Sequence, residues 1–387
     1  MRLVTSESVS IGHPDKVADQ IADAILDYCI FWDKDSRVAC EVMCTTNLVV
    51  VSGEVSTKAP INRMVVDGIV REIVKEIGYY YGNGFDWRDL EVVCRLHKQS
   101  SDIAFGVDER ADHEQGAGDQ GIMYGYAEYN PETEHMPIPI FYAHRLMDTL
   151  LTFRRKYADS MLRPDAKCQL TFDFEDEDHP KLKSIVVSHQ HTEECPVEKV
   201  ADAVKVCMVQ AIPSRYFSST VKFVDPDEPV DFSQDITHVY VNPAGNFNIG
   251  GPDGDTGVTG RKLIVDTYGG VGRIGGGAFS GKDPTKVDRS AAYMCRKVAK
   301  DLVRDGKCRK CEVSVAYAIG VAHPVQISVN TFGTGDNKAL TEYVKSHYDF
   351  RPKQIIEFLG LNETTDWVYR QTAMNGHFGH PRFPWEK

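Results

Sequence analysis

The sequence predicts an α+β protein of three similar sheet-plus-helix units arranged about a pseudo-threefold axis. A helix, two strands and a second helix recur in that order near residues 15–77, 140–212 and 288–347. Each such unit would be a sheet with helices on one face. The three stretches are not alike in sequence, so the repeat is one of elements, and sheets packed on one another would give the threefold body. The chain has 387 residues, 42% hydrophobic and 26% charged, which suffices for two or three domains with sizeable cores. The units divide at 1–113, 114–231 and 232–387, with structural domains expected to exchange segments.

In the first unit, Val17, Ile21 and Ile25 repeat at four-residue spacing behind Pro14 and Asp15, which suit a first helical turn. His13 then stands where the amide donors of a helix N-terminus point outward, as an anion contact or simply as the cap. Arg37–Thr45 and Leu48–Val55 read as a hairpin turning at Thr46-Asn47. Glu41 lies inside the apolar run Val38–Met43 and needs a cation, an ion pair or a solvated face. Glu54 follows Gly53 at the strand end and has the same choices. A helix over Ile61–Ile77 carries Ile61, Val65, Ile69, Ile73 and Ile77 on one stripe.

Strand Glu91–His97 leads into the polar loop Gln99–Asp119, whose length marks a binding loop, a lid or a disordered segment. Asp119 and Gln120 sit between glycines, placed to reach a ligand or to cap a turn. Strand Ile122–Tyr129, helix Ile140–Tyr157, strands Ala166–Phe174 and Ser184–His191 and helix Pro196–Ile212 follow. Asp165 and Lys167 fall at a strand mouth, where Lys167 is either a phosphate clamp or a surface lysine. After strand Thr237–Asn242, Phe247 is a base-stacking or a core aromatic. Helix Asp288–Arg304, strands Cys311–Ile319 and Pro324–Phe332 and helix Lys338–His347 complete the third unit. The irregular, aromatic end NGHFGHPRFPWEK is suited to packing on a core or partner.

Between the second and third units runs Gly250–Asp288, which holds 12 of the 31 glycines. Bare backbone there can approach a ligand closely. Arg261, Lys262, Arg273, Lys282 and Lys286 stand among Asp253, Asp255, Asp283 and Asp288, a mixture suited to a polyphosphate with a divalent metal. The apolar run Leu263–Ile264–Val265 reads as a strand and argues against a linker. Gly270–Gly275 spells GxGxxG, but no helix opens behind it. Gly276–Lys282 spells GxxxxGK, but Asp283 follows in place of Ser or Thr.

A net charge of −12 excludes bulk nucleic-acid binding, so any phosphate site depends on local cations. No apolar run approaches a membrane span, and the start MRLVTSESVS lacks a signal-peptide core. Ten scattered cysteines fit a reducing, cytoplasmic setting. Cys308 and Cys311 form a lone CxxC, read as structural or incidental.

Taken together, GHPDK at Gly12–Lys16, GAGDQG at Gly116–Gly121, RPDAK at Arg163–Lys167, GGPDGDTGVTGRK at Gly250–Lys262 and GGGAFSGKDPTKVDRSAAY at Gly275–Tyr293 resemble the S-adenosylmethionine synthetase (methionine adenosyltransferase) family. The likeness runs almost end to end. It implies attack of methionine sulfur on C5′ of ATP, departure of the whole triphosphate, and its hydrolysis to pyrophosphate and phosphate. It implies His13 at the leaving oxygen and Asp15 and Asp288 at two Mg²⁺ ions. Glu41 would lie at K⁺. Lys167, Arg261, Lys262, Lys282 and Lys286 fall around the nucleotide and triphosphate. Asp165, Phe247, Asp255 and Ala278 are implied as other nucleotide contacts. Glu54, Gln99, Asp255 and Lys286 are implied at methionine. It also implies a homodimer, alone or as a dimer of dimers, with sites between chains. The sequence departs from the family pattern at Ile11, Ser101, Phe105, Asn246 and Asn248. Two other functions stay open on the residues alone: a P-loop-like phosphotransferase using Lys282, and a non-catalytic nucleotide-binding subunit on the same fold.

Overall fold

A computed structural model describes residues 1–80, 84–98, 114–157 and 161–387. Its strands form three sheets. The four-stranded sheet holds β2 (Arg37–Thr45), β3 (Leu48–Ser56), β4 (Glu91–His97) and the two-residue β10 (Gly257–Val258), in the order β10-β2-β3-β4. Asn47 turns the β2–β3 hairpin with φ of 54°. Val38, Cys40, Val42, Cys44, Val49 and Val51 alternate inward, leaving Ala39, Glu41, Ser52 and Glu54 on the open face. Two helices pack on the inner face, α1 (Pro14–Trp32) and α2 (Arg63–Ile77). Asn62 caps α2 by accepting from the Met64 and Val65 amides, and Gly78 ends it at φ 112°. The buried face of α2 is Val66, Val70, Ile73, Val74 and Ile77; Ile61, Val65 and Ile69 sit on its shoulder.

The five-stranded sheet runs β1 (Leu3–Val9), β6 (Leu162–Asp173), β7 (Lys181–His191), β9 (Ile236–Val241), β8 (Thr220–Phe223). Helices α3 (Ile138–Lys156) and α4 (Val197–Ala211) cover it, around a core of their own. The three-stranded sheet joins β5 (Gly121–Glu128) to β11 (Lys310–Tyr317) and β12 (Gln326–Asn330). Its helices are α6 (Val287–Arg304) and α7 (Asn337–His347), with α8 (Pro352–Leu359) against α6. The four- and three-stranded sheets share one hydrophobic core through α1 and α6. The α+β class and the three sheet-plus-helix regions match the sequence expectation. The strands cross between regions: β1 pairs with β6, β10 with β2, and β5 with β11.

Several expectations are corrected. Leu263–Val265 is not a strand but part of a one-turn helix, α5 (Leu263–Asp266). The Asp266 amide donates to the Lys262 carbonyl and Thr267 Oγ1 to the Leu263 carbonyl, and a three-residue apolar run cannot distinguish the two states. Strand β6 starts at Leu162, so Asp165 and Lys167 lie within it; Pro164 is accommodated at a bulge between Leu162 and Ala166. Strands β1, β8 and β10 carry too little periodic signal to be read; helix α8 was passed over although Pro352 in its first turn and Gly360 at its end mark it. The C-terminal end packs as expected: Phe378, Phe383 and Trp385 are buried, Trp385 stacks on Tyr293, and Glu386 pairs with buried Arg296 at 2.9 Å.

Candidate functional site

The site is organised by helix α1. Asp15, Asp19, Asp23 and Asp27 recur every four residues and therefore share one helix face. Each accepts a backbone N–H from a segment distant in sequence. Asp15 takes Val258 (3.0 Å), Asp19 takes Gly260 (2.9 Å) and Asp23 takes Gly281 (2.8 Å). Asp27 takes Tyr369 (2.7 Å) and Arg370 (2.9 Å). Irregular glycine-rich backbone leaves amides that a sheet would have paired, and these carboxylates satisfy them. Three buried ion pairs stand behind the face. Lys16 bridges Asp19 and Asp266 at 3.0 and 2.5 Å, and Arg289 pairs with Asp23 at 2.7 Å. The two carboxylates hold the Lys16 ammonium above its ordinary pKa against the cost of burial.

His13 caps α1: its Nδ1 accepts the Asp15 amide at 3.2 Å. In the neutral ring the proton then sits on Nε2. Burial first, then the Lys262 charge, pushes this imidazole down to about 3. The ring is thus a neutral donor at a helix N-terminus, with Lys262 and Lys167 in electrostatic range. Asp15 receives Lys262 Nζ at 2.6 Å and Arg261 at 3.6 Å. Burial opposes the Asp15 charge, but the Lys262 ammonium and the Val258 amide hold the carboxyl below its usual range.

A second cluster lies ahead of α6. Lys282 Nζ donates to Asp288 at 2.7 Å and Lys286 Nζ to buried Asp283 at 2.6 Å. Asp283 also accepts the Val38 amide, pinning the loop to β2. Glu41 stands on the open face of β2, within electrostatic reach of Lys282. The clusters meet where Gly260, at φ +78°, lies against Ala278 with no room for a Cβ. Gly277 presses equally closely on Asp288. No strand enters Gly276, and α6 opens only at Val287, so Lys282 is not a P-loop lysine; no helix opens behind Gly270–Gly275 either.

A third group flanks the first. Asp165 accepts the Gly251 amide at 2.7 Å, and burial pushes its carboxyl up to about 6. Phe247 is half-buried and packs on Gly250; Asp255 is exposed, within electrostatic range of Asp165. A cleft of about 490 Å³ opens alongside, lined by Tyr79, Phe85, Arg163, Gln190 and Asn248 among others. Lys167 pairs with Glu7 across β1 at 2.7 Å. Glu54 faces His97 at 3.3 Å on the open face of β3 and β4. Asp119 is exposed and caps a turn through the Gln120 amide. Gln99 and most of the Gln99–Asp119 loop lie outside the described residues. Of the departures, Ile11 is buried with its carbonyl on Gln20, Asn246 is exposed, and Asn248 donates to the His191 carbonyl.

Sequence reasoning passed over Lys16, Asp19, Asp23, Asp27, Asp266 and Arg289; Asp283 it placed among the carboxylates of the glycine-rich stretch, where the structure pairs it with Lys286. For the α1 acids the signal was present in DKVADQIADAILD, a four-residue acidic period beside the apolar stripe. All ten cysteines carry free thiols. Among the described residues no helix is long and apolar enough to cross a membrane, and no three acidic, His or Cys groups converge into a metal cage.

Comparison with known proteins matches the chain along its whole length. Three family models match in succession: the S-adenosylmethionine synthetase N-terminal domain over residues 1–101, the central domain over 114–247 and the C-terminal domain over 249–387. An S-adenosylmethionine synthase of Sorangium cellulosum is 48% identical over 389 residues, covering 99% of this chain and 87% of that protein. One of Staphylococcus epidermidis is 46% identical over 402 residues, covering 100% of this chain and 95% of that protein.

Proposed function

The chain belongs to the S-adenosylmethionine synthetase family, and from that premise we propose how its own residues divide the work of the reaction. The enzyme is a transferase that makes S-adenosylmethionine from ATP and methionine, and its family uses metal ions.

The thioether sulfur of methionine carries no proton, so its lone pair attacks C5′ without a base. The new S–C5′ bond forms as the C5′–O bond breaks, and that electron pair leaves with the triphosphate. Catalysis therefore reduces to alignment and to stabilising charge on the departing oxygens. His13, neutral with its proton on Nε2, donates to the leaving oxygen. Lys167, Arg261, Lys262, Lys282 and Lys286 bind the triphosphate through its departure and its cleavage to pyrophosphate and phosphate. Asp165, Phe247, Asp255 and Ala278 hold the nucleoside, and Glu54, Gln99, Asp255 and Lys286 hold methionine.

Asp15 and Asp288 each offer one carboxylate beside a lysine. That donor set fits Mg²⁺, which is bound by one or two carboxylates, water and substrate phosphates rather than by a protein cage. Two Mg²⁺ at these positions, with K⁺ near Glu41, would supply neutralisation of the phosphate oxygens. The carrying observation is the ion-pair set Lys262–Asp15 and Lys282–Asp288, at the first turns of α1 and α6. An incoming polyphosphate with its divalent ion satisfies both members of each pair at once. The sheet face bearing Glu41 and Glu54, open among the described residues, supports a homodimer, alone or paired into a tetramer, with sites between chains, and the ten free thiols support a cytoplasmic setting. The assignment is tested by incubating the enzyme with ATP, methionine, Mg²⁺ and K⁺ and identifying products by mass. A sulfonium with equimolar phosphate and pyrophosphate is expected; ADP with a phosphorylated acceptor overturns it.

A further inference from the structure

Lys282 is held at the level of its backbone by groups to which the reaction above gives no task. The Gly281 amide donates to Asp23 at 2.8 Å, the Gly281 carbonyl accepts the Cys40 amide at 2.9 Å, and the Lys282 carbonyl accepts Arg289 Nη1 at 3.1 Å. Three consecutive peptide groups are thus gripped, from α1, from β2 and from α6. Gly281 sits at φ +81°, where an added Cβ would overlap the Cys40 carbonyl, so the chain is as close to the strand as glycine permits.

The two outer grips are one unit. Arg289 and Asp23 form a bidentate pair at 2.7 and 2.8 Å, with both side chains fully buried. The guanidinium donates its remaining hydrogens to the Tyr293 hydroxyl at 3.0 Å and to Thr372 at 2.9 Å, and lies over the Tyr369 ring at 4.3 Å. A buried ion pair is weak evidence for stability, because well-packed apolar residues often do as well. What apolar residues cannot do is accept the Gly281 amide and donate to the Lys282 carbonyl at once. Arg289 also follows Asp288 directly, so a single turn of α6 sets both the partner of Lys282 Nζ and the clamp on the Lys282 backbone.

We infer that Asp23 and Arg289 are positioning residues that fix the Gly281–Lys282 backbone and thereby aim the Lys282 ammonium. The inference rests on the reading that Lys282 contacts the triphosphate. The clamp acts through Lys282, so its value in the reaction vanishes when the lysine does.

The test is a double-mutant cycle on the purified full-length enzyme. Arg289→Lys keeps a cation for Asp23 but loses the planar fork that reaches the Lys282 carbonyl. It should lower kcat by about 10- to 100-fold, the scale of a misplaced catalytic group, with KM for ATP and methionine within about threefold. In a Lys282→Ala background the same change should lower kcat by less than about twofold. A purely structural role would cost the same in both backgrounds, and that additivity overturns the inference. So does normal kcat in folded Arg289→Lys. Near-normal turnover of Lys282→Ala alone is a different failure, that of the lysine reading itself. If Arg289→Lys does not fold, Asp23→Asn takes its place in the cycle. If neither folds, the pair is structural and the inference falls.

Discussion

Replacing Gly277 by alanine should slow catalysis without unfolding the protein. The backbone at 277 is not in the left-handed region, so the alanine itself is unstrained; the conflict is with one side chain. The new Cβ would sit inside the Asp288 carboxylate, while ordinary contact begins at 3.4 Å. The carboxylate must withdraw by roughly 1 Å or more, and a misplacement of that size can cost about 100-fold in rate. That loss corresponds to about 2.7 kcal/mol of transition-state stabilisation. Withdrawal also breaks the Lys282–Asp288 pair, whose side chains are only 20% and 21% exposed. A pair still open to solvent contributes about 0–1 kcal/mol to stability, so the melting temperature should shift by only a few degrees. The assay is steady-state S-adenosylmethionine formation across a Mg²⁺ titration. We expect kcat reduced by one to two decades and the Mg²⁺ requirement raised. Gly276→Ala is the control, because its Cβ meets nothing within 4 Å. Gly277→Ala within twofold of the native kcat and Mg²⁺ requirement would refute the reasoning.

Lys282→Ala should lower kcat strongly while the fold survives, because a contact made in the transition state is lost; near-normal turnover in the folded variant would remove Lys282 from the site. His13 should stay neutral: its folded value near 3 lies below the unfolded 6.5, so its contribution to stability is present above about 6.5 and is lost as pH falls from there through 3. Its ring resonance should hold the neutral position from pH 8 to 5, and a midpoint near 6.5 would contradict the burial argument. Co-expression of a variant altered at Glu54 and Gln99 with one altered at Lys282 and Lys286 should restore part of the activity if each site draws on two chains. Verified mixed dimers without recovery would rule out that division.

The sequence made legible what depends on near neighbours. The β2–β3 hairpin, the cap of α1 and the glycine loops are set by residues within a turn or two, and their patterns were readable. What depends on distant partners was not. Asp23 reads as one more polar helix residue until Gly281 and Arg289, 258 and 266 residues away, arrive beside it. Strand β1 becomes a strand by lying against β6, and its own alternation is weak. Leu263–Val265 has the composition of a strand but the length of a helical turn, and the buried contact of Asp266 with Lys16 favours the turn.

The acidic face of α1 has a consequence for how the protein is made. The helix leaves the ribosome well before its last partners, Tyr369 and Arg370, 342 and 343 residues beyond Asp27. At about 5–20 residues per second, those amides are synthesised roughly 17 to 70 seconds later. Until then Asp27 lacks the amide donors that satisfy it in the fold, and the core shared by the apolar stripe of α1 is incomplete. The last contacts of α1 therefore form only when the C-terminal segment arrives. A chain that ends short of residue 369 leaves the buried Asp27 carboxylate without both of its backbone donors.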